Sequence, residues 1–159
     1  MDFISLPERA DHVRLTLAYL ESEANIGRLI ELTCGRAAAG RAALDLALRI
    51  LYCPTSTNWS LLAGMGLSPL TVIALAGAAD RAMGQLERWC EADLREVWTA
   101  LAASHRLSAE EVEHVLCVLV LHHKTPIPLP AVFAALGRTE CMTRLSASTQ
   151  AYRLCQMVT

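Results

Sequence analysis

The sequence predicts an all-α fold, a compact bundle of about six to eight short helices. Leucine and alanine dominate it, proline and glycine cluster between apolar stretches, and β-branched residues do not alternate over a strand length. The chain has 159 residues, of which 53% are hydrophobic and 19% are charged. This composition excludes a disordered chain, and the length predicts a single helical domain with a full hydrophobic core.

Charge and hydropathy narrow the classes of partner. The net charge is −2 and positive and negative residues are interspersed, so we expect no nucleic-acid partner. The longest apolar run, Val115 to Leu121, is far below the ~20 residues of a membrane-spanning helix, so we expect no membrane insertion. The first residues lack a basic secretory start and no C-x-x-C pair occurs. We therefore expect a cytoplasmic location with reduced thiols and no cofactor.

The N-terminal third predicts two or three helical pieces. A capping box at Ser5-Leu6-Pro7-Glu8 predicts a first helix over about 6–24. A second, short piece ends at Cys34-Gly35, where glycine suits a left-handed cap. Together these pieces form an N-terminal helical extension, residues 1–36.

A third helix is predicted from Ala37 to Tyr52. Its polar residues Arg41, Asp45 and Arg49 recur every four positions, and nearly every other position is apolar. One narrow solvated stripe on an otherwise apolar helix predicts that most of this helix is buried.

The middle of the chain predicts short helices separated by turns. Residues 53–58 carry a turn signal, and Asn58 or Thr57 is suited to cap a helix over 59–65 that ends at Gly64-Met65-Gly66. Ser68-Pro69 predicts the start of the next helix, over about 69–77.

Three further start signals follow. Asp80 predicts a segment through Cys90, and Asp93 predicts another through His105. Ser108-Ala109-Glu110-Glu111 is a capping box that predicts the best-defined helix of the chain.

The C-terminal part, residues 122–159, is interrupted by proline. Pro126, Pro128 and Pro130 favour extended backbone after the core 37–121. A helix over 131–136 is then stopped by Gly137, and a last helix covers about 139–157.

One group of residues has side chains of the kind that zinc prefers as ligands. His114 and Cys117 are one helical turn apart, and His122 and His123 follow closely, so a tetrahedral site is conceivable. Alternatively, Cys117 packs as a small apolar residue and the histidines end a helix, where positive charge is favourable. Because the spacing does not decide between these interpretations, a small thiol or metal-dependent enzyme stays open as a third function.

Residues 44–118 resemble a death domain, a six-helix signalling module. Trp59-Ser60-Leu61-Leu62-Ala63-Gly64 fits the family's W-x-x-L-A-G motif, Ile73 falls where the third helix has an isoleucine, and Leu86-Glu87-Arg88-Trp89 fits its L-x-x-W motif. Residues 1–40 and 119–159 have no counterpart. The resemblance implies a death-domain-like middle of the chain, and we expect the apolar anchors Trp59, Leu62, Ile73, Leu86 and Trp89 to converge in one core.

The resemblance also implies function. Death domains combine through charged and apolar faces of separate helices, so we expect a non-enzymatic interaction module or adaptor, with signalling as the role that the family implies. A protein partner or a second copy is expected, in line with the high apolar fraction. The candidate partner-binding residues form one charged face: Arg88, Glu91, Arg95 and Glu96. The alternative function is a bacterial helical accessory protein, such as a secretion chaperone or virulence regulator.

Overall fold

The computed structural model describes residues 24–34, 41–52 and 59–158, and within these ranges it contains eight helices and no strand. The all-α prediction is confirmed. None of the helices in these ranges has the length and apolarity needed to cross a membrane. Residues 6–23 of the helix predicted over about 6–24, and the turn over 53–58, lie outside the described residues. The helices are α1 (24–34), α2 (Arg41–Leu51), α3 (Ser60–Ala63), α4 (Pro69–Gly84), α5 (Glu91–His105), α6 (Ala109–Leu121), α7 (Leu129–Leu136) and α8 (Arg138–Val158).

Helix α6 lies at the centre of the bundle. The capping box is confirmed, since the Ser108 Oγ accepts the Glu111 N–H at 3.1 Å and the Glu111 carboxylate accepts the Ser108 N–H at 2.7 Å. Every residue from Val115 to Leu121 is buried, as in a helix packed on all sides. The helix ends at His122, which adopts left-handed backbone with φ 60°.

Helix α4 begins where it was predicted but continues farther. The Ser68 hydroxyl accepts the Thr71 N–H and Pro69 is the first helical residue. The expected new start at Asp80 is wrong, because the helix runs on to Gly84. Buried Ala79 and Met83 continue the packed face of α4 while Asp80 faces solvent, so packing overrides the local signal.

The start of α5 also differs from the prediction. Cys90, and not Asp93, is the residue at the N-cap, and the helix begins at Glu91. The Asp93 carboxylate is instead bound by the Arg88 guanidinium at 2.9 and 3.1 Å. The predicted end at His105 is confirmed.

The residues after the prolines contribute to the main core. Phe133 of α7 is fully buried and its ring meets the Trp98 ring edge-on, with centroids 5.1 Å apart. Cys141 and Leu145 of α8 are fully buried in the same cluster. Helix α8 packs against α4, α6 and α7, and α7 packs against α5.

The prediction that α2 is mostly buried is wrong. Ala43, Ala47 and Ile50 are buried, but Leu44 and Leu48 are 48% and 41% exposed. Among the described residues, one side of the helix contacts the bundle, and the last turn is bound through its main-chain carbonyls. The Arg144 guanidinium donates to the carbonyls of Ile50 and Leu51 at 2.6 and 2.7 Å, which completes acceptors that a helix end leaves unpaired.

Helix α1 is joined to the junction of α7 and α8. The buried Asn25 amide donates to the Leu136 carbonyl at 2.7 Å. The next residue, Gly137, has φ 86° and ψ 158°, a conformation that is essentially restricted to glycine.

The five apolar anchors all pack in or against the main cluster, but of the five only Leu62 is fully buried. Trp59 lies against Tyr152, with ring centroids 5.1 Å apart. Trp89 is half-buried, and its indole N–H donates to the Phe133 carbonyl at 2.8 Å. These two tryptophans therefore lie at the edge of the core and contact different partners.

Candidate functional site: a groove beside α6

A cavity of about 490 Å³ lies between α5, α6 and the connection 122–128. We name it the α6 groove. Its size is in the range of small-molecule and side-chain binding pockets. The lining residues are Arg95, Glu110, Glu113, His114, Cys117, Val118, Lys124, Thr125, Pro126, Ile127, Pro128 and Leu129.

One face of α6 forms the first wall of the groove. Glu110, Glu113, His114 and Cys117 are spaced at i, i+3, i+4 and i+7, which aligns their side chains along the helix. The sequence places polar groups on this face while the rest of α6, apart from Glu111 in the first turn, is apolar, so the groove lies on the polar side of the central helix.

The proline-rich connection forms the opposite wall. Pro126 and Pro128 restrict the backbone, and the Thr125 hydroxyl accepts the Ile127 N–H at 3.2 Å. Ile127 and Leu129, each 3% exposed, point into the bundle. The predicted proline interruption is therefore a structured segment that shapes a cavity.

Burial divides the groove into a floor and a rim. The exposed apolar side chains of Pro126 and Pro128 line the floor, and the apolar residues beneath it are buried. Glu113 and His114 are half-buried above it, and exposed charged side chains stand at the rim. The rim residues are Arg95, Glu110 and Lys124.

The carboxylates of the groove lack ion-pair partners. Among the described residues, no cationic nitrogen lies within 4.0 Å of Glu110 or Glu113. Burial raises the pKa of Glu113, the charge of Arg95 acts in the opposite direction, and the charge of Glu110 raises it further. Arg95 is itself ion-paired with Glu91 at 2.7 Å.

Two further polar groups line the same wall. The buried His114 Nε2 has no hydrogen-bond partner among the residues that the structure describes. The Cys117 thiol donates to the carbonyl of His123 at 3.0 Å. This bond ties α6 to the start of the connection.

The four candidate zinc ligands do not come together. His122 Nε2 lies 2.9 Å from the Ser148 hydroxyl, and His123 Nε2 lies 3.2 Å from the Arg49 carbonyl. No group of three or more histidine, cysteine or acidic side chains able to hold a metal occurs within 24–34, 41–52 and 59–158. The chain turns at His122 in left-handed backbone, and both imidazoles bind groups outside the α6 face that carries His114 and Cys117.

The candidate partner-binding residues are divided between two places. Arg88 precedes α5 and binds Asp93, so the expectation that it lies on the same helix as the others is wrong. Glu91 binds Arg95 along α5, and Glu96 is exposed. Of the four, Arg95 lines the groove.

Sequence reasoning missed Glu113, Lys124 and Ile127 as site residues. The available signal for Glu113 was its spacing of four residues from Cys117 on the same face of α6. Lys124 and Ile127 become part of the site because the connection folds back over α6, which no local pattern indicates.

Comparisons with known proteins show a likeness of fold. No protein-family model matches the sequence, and no curated protein matches it. A solved structure described as a glutamate tRNA ligase from Elizabethkingia meningosepticum in complex with its amino acid is similar, with a TM-score of 0.59 and 15% sequence identity. The similarity covers 85% of this chain and 31% of the ligase chain, so this chain spans about a third of that protein. At this identity the likeness concerns the helical architecture alone.

Proposed function

We propose that the protein is a non-enzymatic interaction module that binds a segment of a partner protein in the α6 groove. The observation that carries this proposal is the layout of the groove, an apolar floor lined by the exposed Pro126 and Pro128 inside a charged rim. Specific protein interfaces have this anatomy, with an apolar centre that loses water and a polar edge that stays hydrated.

The resemblance of residues 44–118 to death domains supports the same role. That family assembles with other helical proteins through charged and apolar helix faces. Arg95 belongs both to the charged face expected from the resemblance and to the rim of the groove. The groove thus joins a charged and an apolar element in one surface.

The bonding of Cys117 favours binding over thiol chemistry. A nucleophilic cysteine needs a base that removes its proton. Here the thiol donates a hydrogen bond to the main-chain carbonyl of His123, which stabilises the protonated form of the cysteine. The cysteine therefore serves to hold the connection against α6.

Site-specific photo-crosslinking tests the proposal. A photoreactive amino acid replaces Lys124 on one side of the groove, Arg95 on the other, or Arg81 on α4 as the control; all three are exposed, and Arg81 is remote from the lining. We expect the same protein to be cross-linked from both groove positions and not from Arg81. The captured protein, once purified, must bind wild-type protein saturably. Equal cross-linking from Arg81, or none from Lys124 and Arg95, contradicts the proposal.

A further inference from the structure

The α6 groove is lined by two carboxylates and two cations, and among the described residues none of these four forms an ion pair with another. Glu113 is half-buried and Glu110 is at the rim, and neither has an ion-pair partner within 4.0 Å among the described residues. Arg95 is committed to Glu91, and Lys124 is exposed at the outer edge. The inner part of the groove therefore offers carboxylate oxygens without a cation.

A partly buried carboxylate has lost part of its hydration, and this loss is recovered when a cationic donor approaches it. Burial raises the pKa of Glu113, and the charge of Arg95 offsets this effect only in part. A ligand with a positively charged group at this position compensates for the hydration that the Glu113 carboxylate has lost.

Three kinds of partner side chain can be compared. An acidic side chain meets Glu113 and Glu110 with like charge and finds Arg95 already paired. An apolar side chain covers the floor but leaves the Glu113 carboxylate further desolvated and unpaired. A basic side chain suits both the apolar floor and the carboxylates, because its aliphatic stem is apolar and its head is cationic.

We propose that the α6 groove takes a basic side chain, arginine or lysine, of the partner segment, with the stem on Pro126 and Pro128 and the charged head at Glu113 and Glu110. The proposal rests on the proposed function and names the chemistry that the same groove recognises. The cavity of about 490 Å³ accommodates one long side chain together with part of its neighbouring backbone.

Two small probes test the class of ligand on the whole protein. The first is Nα-acetyl-arginine N-methylamide and the second is the citrulline analogue, which has nearly the same shape and no charge. Each is titrated at millimolar concentration into 15N-labelled protein. We expect the arginine probe to shift the amide signals of Glu113, His114 and Cys117, with the citrulline probe binding at least about fivefold more weakly. Raising the salt concentration should weaken the arginine probe alone.

Two matched variants test whether Glu113 is the carboxylate that binds the cationic head of the probe. Glu113→Gln keeps the shape of the side chain and should weaken the arginine probe at least about fivefold while leaving the citrulline probe unchanged. Glu96→Gln, an exposed carboxylate of α5 outside the groove, should change neither by more than about twofold. The amide spectrum of each variant also reports whether it is folded.

Equal binding of the two probes overturns the proposal, as does an arginine probe that leaves the groove signals unshifted. Cross-linking of a partner from Lys124 and Arg95 together with either result means that the groove binds protein but not through a basic side chain. Failure of the cross-linking itself removes the proposed function. The two outcomes are therefore distinguishable.

Discussion

Replacing Gly137 by alanine tests the packing at the junction of α7 and α8. Gly137 has φ 86° and ψ 158°, where a residue with a Cβ is strained by about 1–3 kcal/mol. A Cβ built there lies 2.7 Å from the Asn25 Nδ2, closer than atoms in contact allow. Asn25 is buried and donates to the Leu136 carbonyl, so its displacement also loses a hydrogen bond worth about 0.5–1.5 kcal/mol. We expect Gly137→Ala to lower the free energy of unfolding by about 2–4 kcal/mol.

Urea unfolding at neutral pH measures the effect, with Gly77→Ala as the matched control. Gly77 lies inside α4, and its nearest atom to a new Cβ is the Arg81 Nη1 at an ordinary 3.7 Å. The same substitution should therefore stabilise the protein there by about 0.5–1 kcal/mol, because alanine favours the helix.

The two causes separate in an Asn25→Ala background. The clash is absent there, so Gly137→Ala should cost the backbone strain alone, about 1–3 kcal/mol. A Gly137→Ala protein within about 0.5 kcal/mol of wild type would refute the whole argument. An undiminished cost in the Asn25→Ala background would refute the contribution of the clash.

Four other outcomes are expected. Arg144→Met removes the donors to the last carbonyls of α2 from a side chain that is 11% exposed, and should lower the free energy of unfolding by about 2–4 kcal/mol in urea. Trp98→Phe should cost less than about 1.5 kcal/mol in the same assay, because the indole N–H has no acceptor among the described residues, whereas Trp98→Ala should cost about 3–5 kcal/mol. Thiol labelling followed by mass spectrometry should modify exposed Cys155 quickly and Cys141 only on unfolding, because burial removes access to Cys141 and raises its pKa. Hydrogen bonds from Ser108 lower the pKa of Glu111 below 4.5, so its contribution to stability is present above that pH and is lost as the pH falls through the lowered pKa. The stability difference between wild type and Glu111→Gln should accordingly shrink in acid; a difference independent of pH would contradict the role of the charge.

The sequence predicts helix starts where the signal is local. Ser68 and Ser108 cap their helices with hydrogen bonds to residues three positions on, and both starts were found from spacing alone. Asp80 has a similar residue type but lies on the solvent side of a helix whose packed face continues past it. Whether a new helix starts at Asp80 therefore depends on packing against α8 and the rest of the core, which are remote in sequence.

The candidate site was predictable only in part for the same reason. His114 and Cys117 stand out from spacing because they share a helix face, and Arg95 from its place in a charged face. Whether His122 joins them depends on one backbone torsion. The φ of His122 is positive, which is uncommon for a residue other than glycine, and α6 ends at this residue. The contribution of Lys124 arises from the path of the connection, which the prolines constrain without specifying its direction.

The way in which Arg144 holds α2 has an evolutionary consequence. Its guanidinium binds main-chain carbonyls, which every amino acid supplies, and His123 lies beside a third carbonyl at Arg49. The outward side chains of α2 are therefore free to drift while the helix keeps its place, and the selective constraint falls on α8. Among homologues, we expect position 144 to retain arginine while positions 44 and 48 vary in polarity.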